Sequence, residues 1–375
     1  MALYYLKKKG RTDMLDIVPL RFENDRLMIL DQTLLPGEER FIEISTKEDI
    51  WDAIHELKVR GAPAIGVAAA FGIYRAIRDT DEEDYEHFYL RFAETKRYIA
   101  TSRPTAVNLF WALERMEKCL IRAENSIREE NWKEKQEKLK AELLKEAEQI
   151  RKEDEQNCIS MGKYGLTLLE PGMGILTHCN AGTIATARYG TCLAPIYLGQ
   201  EKGYRFRVFA DETRPLLQGA RLTAWELTKA GVDVTLICDD MASIVMKNGW
   251  IDAVVVGCDR MAANGDGANK IGTSGVAILA KEYGIPFYMY VPTSTVDMDT
   301  PSGDDIDIEL RSGEEIYRMW YEHDMAPTGV RTYNPSFDVT DNKYITAVIT
   351  EKGIIKPPFR KGLEKLLGKT DGKEK

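Results

Sequence analysis

The sequence predicts an α/β protein: a Rossmann-like parallel sheet in a C-terminal domain, and a smaller, mainly helical N-terminal domain carrying a small antiparallel sheet. Three observations lead there. From Cys158 onward, apolar runs at 174–177, 206–210, 232–238, 253–258, 287–291 and 344–349 read as buried parallel strands. Helical segments fall between them at 184–193, 221–229, 242–248 and 275–283. The repeat of roughly 20 to 35 residues is what βαβ units require. Upstream the pattern is helical and ends in a dense run of charges from 117 to 155. At 375 residues the chain exceeds one typical domain, and the change of pattern divides it into 1–155 and 156–375.

The elements follow in order. Residues 1–12, with Lys7, Lys8, Lys9 and Arg11, read as a loosely held arm. Strand-like runs at 17–22, 27–30 and 41–44, separated by Asn24-Asp25 and Pro36-Gly37, give a small antiparallel sheet. Thr46 with Asp49 starts a helix that Ile50, Ile54 and Leu57 continue and that should end at Gly61 in the left-handed cap position. Pro63 suits the first turn of a buried helix over 64–77. Thr101 and Ser102 read as caps for a further helix carrying Leu109, Trp111, Leu113 and Met116. The charged 117–155 stretch reads as one long solvated helix with a thin stripe of Leu139, Leu143, Leu144 and Ala147. The last dozen residues read as disordered.

Composition narrows the function. A net charge of −9 leaves no basic surplus for nucleic acid or an anionic membrane. No apolar run is long enough to cross a bilayer. Six cysteines without a C-x-x-C pair read as reduced thiols of a cytoplasmic protein. Four scattered histidines offer no metal-binding spacing, so no metal is expected. The first strand is not followed by G-x-G-x-x-G, so no dinucleotide cofactor is expected either.

The chemistry gathers where the strands break off into polar residues, because open parallel sheets bind ligands beyond their carboxyl ends. Gly174-Ile-Leu-Thr-His-Cys-Asn-Ala-Gly182 leaves Cys179 just past one strand. Further on, 253–270 leaves Asp259 just past another, with Asn264, Asp266, Asn269 and Lys270 following. A carboxylate in a dry pocket can stay protonated and act as an acid. A cysteine near a helix start has a lowered pKa and can act as base or nucleophile. Each signal has a bland counterpart. Cys192, Cys238 and Cys258 read as inert packing, Asp239 as a helix cap and Asp266 as a turn former. Arg60-Gly61-Ala62-Pro63 has the parts of an anion site, or is a tight turn with a surface arginine. Arg103 has the same two readings, the surface one being commoner for a lone loop arginine.

Taken together, Arg60-Gly-Ala-Pro-Ala-Ile-Gly66, His178-Cys-Asn-Ala-Gly182, 211–224, Gly257-Cys-Asp-Arg260 and Asn264-Gly-Asp-Gly-Ala-Asn-Lys-Ile-Gly272 resemble the bacterial methylthioribose-1-phosphate isomerases. These share a family with the regulatory subunits of the eukaryotic initiation-factor nucleotide exchanger. The resemblance spans about residues 30–353 and implies an aldose–ketose isomerase of methionine salvage acting on a sugar phosphate, without cofactor, as a homodimer. It implies Cys179 and Asp259 as catalytic residues. It implies Arg60, Gly61, Ala62, Arg103, Gln218, Asn269 and Lys270 as substrate contacts. Related family activities, on 5-deoxyribose 1-phosphate or ribose 1,5-bisphosphate, are the alternatives, and a metabolite-binding regulatory subunit is the non-enzymatic one. The chain departs from the family pattern in its longer N-terminal arm and charged 117–155 region, and at Thr183 and Arg188, where smaller residues are expected.

Overall fold

The structure, a computed structural model, describes residues 17–104 and 106–368. The arm at 1–12 and the end of the C-terminal tail lie outside these residues. Strands β1 (Leu20–Glu23), β2 (Arg26–Leu30) and β3 (Phe41–Ile44) form an antiparallel meander, as the turn signals predict. Helices α1 (Lys47–His55), α2 (Ala62–Arg78), α3 (Tyr85–Ala100), α4 (Val107–Ser126) and α5 (Trp132–Leu166) follow. Then come β4 (Gly174–Thr177), α6 (Ala194–Glu201), β5 (Arg207–Asp211), α7 (Ala224–Lys229), β6 (Asp233–Ile237), α8 (Ala242–Lys247) and β7 (Ala253–Val256). The remainder is β8 (Arg260–Ala262), β9 (Gly267–Lys270), α9 (Thr273–Glu282), β10 (Phe287–Tyr290), β11 (Val296–Asp297), α10 (Glu314–Tyr317), β12 (Phe337–Thr340), β13 (Ala347–Thr350), β14 (Gly353–Ile355) and α11 (Phe359–Leu367). None of the described helices is long and apolar enough to cross a membrane.

The large sheet runs β14-β13-β10-β7-β4-β5-β6, parallel throughout except for the edge strand β14. Its six parallel strands thus have the doubly wound order 3-2-1-4-5-6, and the order reverses between β4 and β7. Alternate residues face opposite covers. Ile175, Val208, Val255 and Tyr290 pack with Cys158, Met161 and Ile196 from α5 and α6. Leu176, Phe209, Val254 and Met289 pack with Val245, Ala277 and Leu363 from α8, α9 and α11. A separate core joins the small sheet to α1–α4 and to the first half of α5.

Several local expectations are corrected. The first helix stops at His55, because Leu57 takes the left-handed conformation at φ 59°. Gly61, at φ 92°, instead precedes α2. Ser102 and Thr101 return their hydroxyls to Ile99 and Tyr98 and so close α3, whereas α4 starts without a side-chain cap. The charged stretch is two helices, α4 and α5, broken at 127–131. Helix α3 and the sheet β11-β8-β9-β12 were not anticipated. No regular helix fills 184–193: Glu226 and Asp154 capture the amides of Thr183 and Ala187, and Tyr189 and Gly190 take positive φ. Of the last dozen residues, the first few complete α11.

Candidate active site

Cys179 follows β4 and Asp259 follows β7, the neighbouring strands between which the order reverses. Both line a cleft of about 530 Å³ together with Arg60, Gly61, Ala62, Arg103, Gln218 and Lys270. Asn269 lines the smaller pocket that adjoins it and shares Arg60, Cys179 and Asp259. Residues separated by 200 positions in the sequence therefore converge on one place, and every predicted site residue lies in or beside it.

Cys179 is buried and sits at φ 67°, a region an L-residue occupies only when its surroundings impose it. Its amide donates to Thr213 Oγ1 at 2.9 Å, and its carbonyl accepts from Thr223 Oγ1 at 2.6 Å. Thr213 is held in turn by Asp239, whose carboxylate accepts from the amides of Thr213 and Arg214, both at 2.7 Å. Asp239 is thus a tie between two loops, not the cap of its own helix. No regular helix starts at Thr183, and the expected lowering of the Cys179 pKa is absent. Burial pushes the thiol above its usual value, against the pull of Arg60 and Lys270.

Asp259 and Lys270 flank the open end of the β8–β9 hairpin, whose register pairs Arg260 with Ala268. Burial holds Asp259 above the usual carboxylate range even though Lys270, Arg60 and Arg103 oppose it. Burial also lowers Lys270, whose Nζ donates to the Ser336 carbonyl at 2.7 Å and lies 4.3 Å from the Phe337 ring centre. Asn269 spends its amide on Thr273 Oγ1 at 3.0 Å, securing the start of α9. Gln218 is buried with Oε1 unpartnered. The Arg103 loop is fixed by α1: Trp51 Nε1 donates to Thr101 Oγ1, and His55 Nδ1 lies 3.2 Å from the Ser102 carbonyl.

Arg60 donates from Nη1 to Asn180 Oδ1 at 2.8 Å and from Nη2 to the Asn180 carbonyl at 2.9 Å. The turn-with-surface-arginine reading therefore fails for Arg60. Behind Asn180 lies Glu226, fully buried and pushed by that burial to about 7. Nothing in Trp225-Glu226-Leu227 marks it in the sequence. The same is true of Glu309, Arg311 and Ser336, which also line the cleft, whereas Arg260, another lining residue, closes the Gly257-Cys-Asp-Arg260 motif. Asp266 stays away from the cleft, accepting from Asn264, Gly303 and Asn342 at the closed end of the hairpin. Cys192 is buried and raised to about 12, and Cys258 is buried and raised as well. Cys238 is exposed rather than packed.

Among the described residues, one group, His178, Asp211 and Asp239, has ligand atoms close enough to hold a metal ion. Its donors are largely committed. His178 Nε2 lies 2.8 Å from the Ile271 carbonyl and must carry its proton, while Nδ1 faces Asp211 at 3.0 Å. Burial pulls His178 down, but the bond to Asp211, the charges of Asp211 and Asp239 and the Ile271 carbonyl together outweigh it and leave the ring above its ordinary pKa. Both Asp239 oxygens are taken by backbone amides.

With this geometry in place, comparison with known proteins is decisive at the level of family. Residues 58–357 match the sequence profile of the Initiation factor 2 subunit family. The chain belongs to that family. Among proteins similar to this Initiation factor 2 subunit family member is the methylthioribose-1-phosphate isomerase of Symbiobacterium thermophilum, 60% identical over 93% of this chain and 95% of the relative. The 5-deoxyribose 1-phosphate isomerase of Petrotoga mobilis is 58% identical over 93% of this chain and 99% of its own. The crystal structure of 5-methylthioribose 1-phosphate isomerase from Pyrococcus horikoshii superposes with a TM-score of 0.88 at 40% identity, covering 97% of this chain and 99% of that one.

Proposed function

We propose that this family member is an aldose–ketose isomerase converting 5-methylthioribose 1-phosphate to 5-methylthioribulose 1-phosphate. Its similar relatives are named sugar 1-phosphate isomerases, and the chain is an enzyme of that type. The observation that carries the chemistry is Asp259, a half-buried carboxyl raised toward its neutral form in the cleft that it shares with Arg60, Arg103 and Lys270. Phosphate on the anomeric oxygen blocks the spontaneous ring opening on which ordinary aldose isomerases rely. An acid must protonate the ring oxygen instead, and a neutral Asp259 is suited to it.

Hydrogen then moves from C2 to C1 beside Cys179, and the C2 hydroxyl gives its proton to the Asp259 carboxylate as the C2 ketone forms. A thiolate would carry the migrating hydrogen as a proton; a neutral thiol in a dry site accompanies hydride migration. The raised Cys179 favours the second course. Arg60, Arg103 and Lys270 anchor the phosphate as charged donors, with Gln218 and the 61–62 backbone completing its shell. Closure of the N-terminal unit, 1–155, over the sheet edge of 156–375 excludes water in this reading. A homodimer in the cytoplasm belongs to the same reading.

The 5-substituent decides among the alternatives. Two further cations line the cleft, but each already has carboxylate partners: Arg260 with Asp297 at 3.3 Å, and Arg311 with Glu309 at 3.1 Å and Glu315 at 2.6 Å. That compensation disfavours a second phosphate and hence ribose 1,5-bisphosphate. A 5-deoxy sugar differs only by a methylthio group, which an apolar wall discriminates modestly. The test is turnover of the purified protein on all three sugars in parallel, without added metal or nucleotide. Ketose formation with the highest kcat/KM on the methylthio sugar supports the proposal. Binding without turnover on all three would leave the regulatory-subunit reading.

A further inference from the structure

Glu226 is fully enclosed behind the cleft, as Asp211 is, and does not line it. Its Oε2 accepts from the Thr183 amide at 2.7 Å and from the Tyr197 hydroxyl at 2.8 Å, and its Oε1 accepts from Asn180 Nδ2. The same Nδ2 reaches Thr223 Oγ1 at 3.1 Å. With its NH2 end thus fixed on acceptors, the Asn180 amide can present only its oxygen to Arg60. The Asn180-Ala181-Gly182 turn is shaped around this carboxylate as well. A Cβ on Gly182 would fall 1.9 Å from Glu226 Oε1 and 2.4 Å from its carboxyl carbon.

Burying a carboxylate is costly, and an apolar side chain of similar size would serve packing better. We propose that Glu226 is a positioning residue for phosphate recognition: it sets the orientation of the Asn180 amide, and through it holds the Arg60 guanidinium at the cleft. The inference rests on the reading of Arg60 as a phosphate anchor.

Glu226→Gln tests it. An amide at 226 must turn its NH2 either toward the Thr183 amide, a donor that cannot move, or toward Asn180, which can flip. The flip is the cheaper response, and it presents an NH2 group to Arg60. Losing a bond from a charged donor raises KM for 5-methylthioribose 1-phosphate by roughly ten- to a hundredfold, with kcat changing less. In an Arg60→Ala background the same substitution should add nothing to KM.

The double variant Asn180→Asp with Glu226→Gln restores the network with its polarity exchanged. The new carboxylate accepts from both the amide at 226 and Arg60, so KM should return toward wild type. A role in packing alone would give no such rescue. Three outcomes overturn the inference: an unchanged KM in Glu226→Gln while Arg60→Ala raises it, an additive effect in the Arg60→Ala background, or a folded double variant that keeps the raised KM. If Glu226→Gln does not fold, the double variant alone decides. An unchanged KM in Arg60→Ala would instead refute the phosphate-anchor reading itself.

Discussion

Gly61→Ala puts the geometry of the cleft under the most direct strain. Gly61 lies at φ 92° and ψ 133°, a region essentially restricted to glycine, so any side chain there costs about 1–3 kcal/mol before contacts are considered. The added Cβ would also sit 2.6 Å from both Ala185 Cβ and Ala185 O, and 2.7 Å from Ala185 Cα. Real Cβ atoms do not approach within 3.0 Å, so the start of α2 must back away from the 183–185 turn by several tenths of an ångström. Arg60, one residue earlier, spans that same gap to Asn180 through bonds of 2.8 and 2.9 Å. Each such bond from a charged donor is worth about 1.5–3 kcal/mol, and the two are not additive.

We expect unfolding free energy to fall by roughly 2–4 kcal/mol. We expect kcat/KM to fall at least about tenfold, most of it in KM. Urea unfolding followed by circular dichroism reads the first, and steady-state isomerisation reads the second. Adding Ala185→Gly should rescue little, since the backbone O and Cα of residue 185 remain in the way. Wild-type stability and KM in Gly61→Ala would show that the α2 start has slack and that this account of the junction is wrong.

The other expectations are simpler. Cys179→Ala and Asp259→Asn should each abolish turnover while leaving sugar-phosphate binding, measured by calorimetry, in place; near-normal rates would remove that residue from the mechanism. Arg103→Ala should raise KM more than it lowers kcat, and an unchanged KM would end its phosphate role. Burial pushes Asp154 up to about 7, whereas in an unfolded chain it titrates near ~3.9. Between those values the folded protein holds a proton that the unfolded chain has released, so this group's contribution to stability is full at low pH and declines as pH rises toward about 7. Asp154→Asn keeps an acceptor for the Ala187 amide and removes that titration. Its stability should therefore vary less than wild type between about pH 5 and 7.5, and parallel profiles would place the titration elsewhere.

What could be read from the sequence follows physical scale. Strands β4 and β7 are buried along their whole length, so they appear as short apolar runs, and the polar residues after them mark the sheet edge directly. The α1 start was legible because Thr46 and Asp49 exchange bonds within three residues. The second sheet was hidden because its strands are two to four residues long, as in Val296–Asp297, and carry site residues such as Lys270. Helix α3 buries only Phe88, Phe92, Thr95 and Ile99, and an exposed Leu90 and three tyrosines off that stripe blur its period. Glu226 resembles any solvent-facing helix residue, since what buries it is Asn180, Gly182 and Tyr197, each distant in the chain. Arg60 was ambiguous for the same reason: its partner is 120 positions away.

Helix α5 has a mechanical consequence. Its 35 residues make a rod of about 50 Å. Leu139, Leu143, Ala147 and Ile150 are embedded in the core beneath the small sheet, and Cys158, Met161 and Leu166 in the core beneath the large one. Two cores packed on one continuous helix can neither slide along it nor turn about it without unpacking, so α5 fixes the separation of the two cores. The helix thus works as a strut between the two cores, and the dense charges along its outer side keep that strut in water.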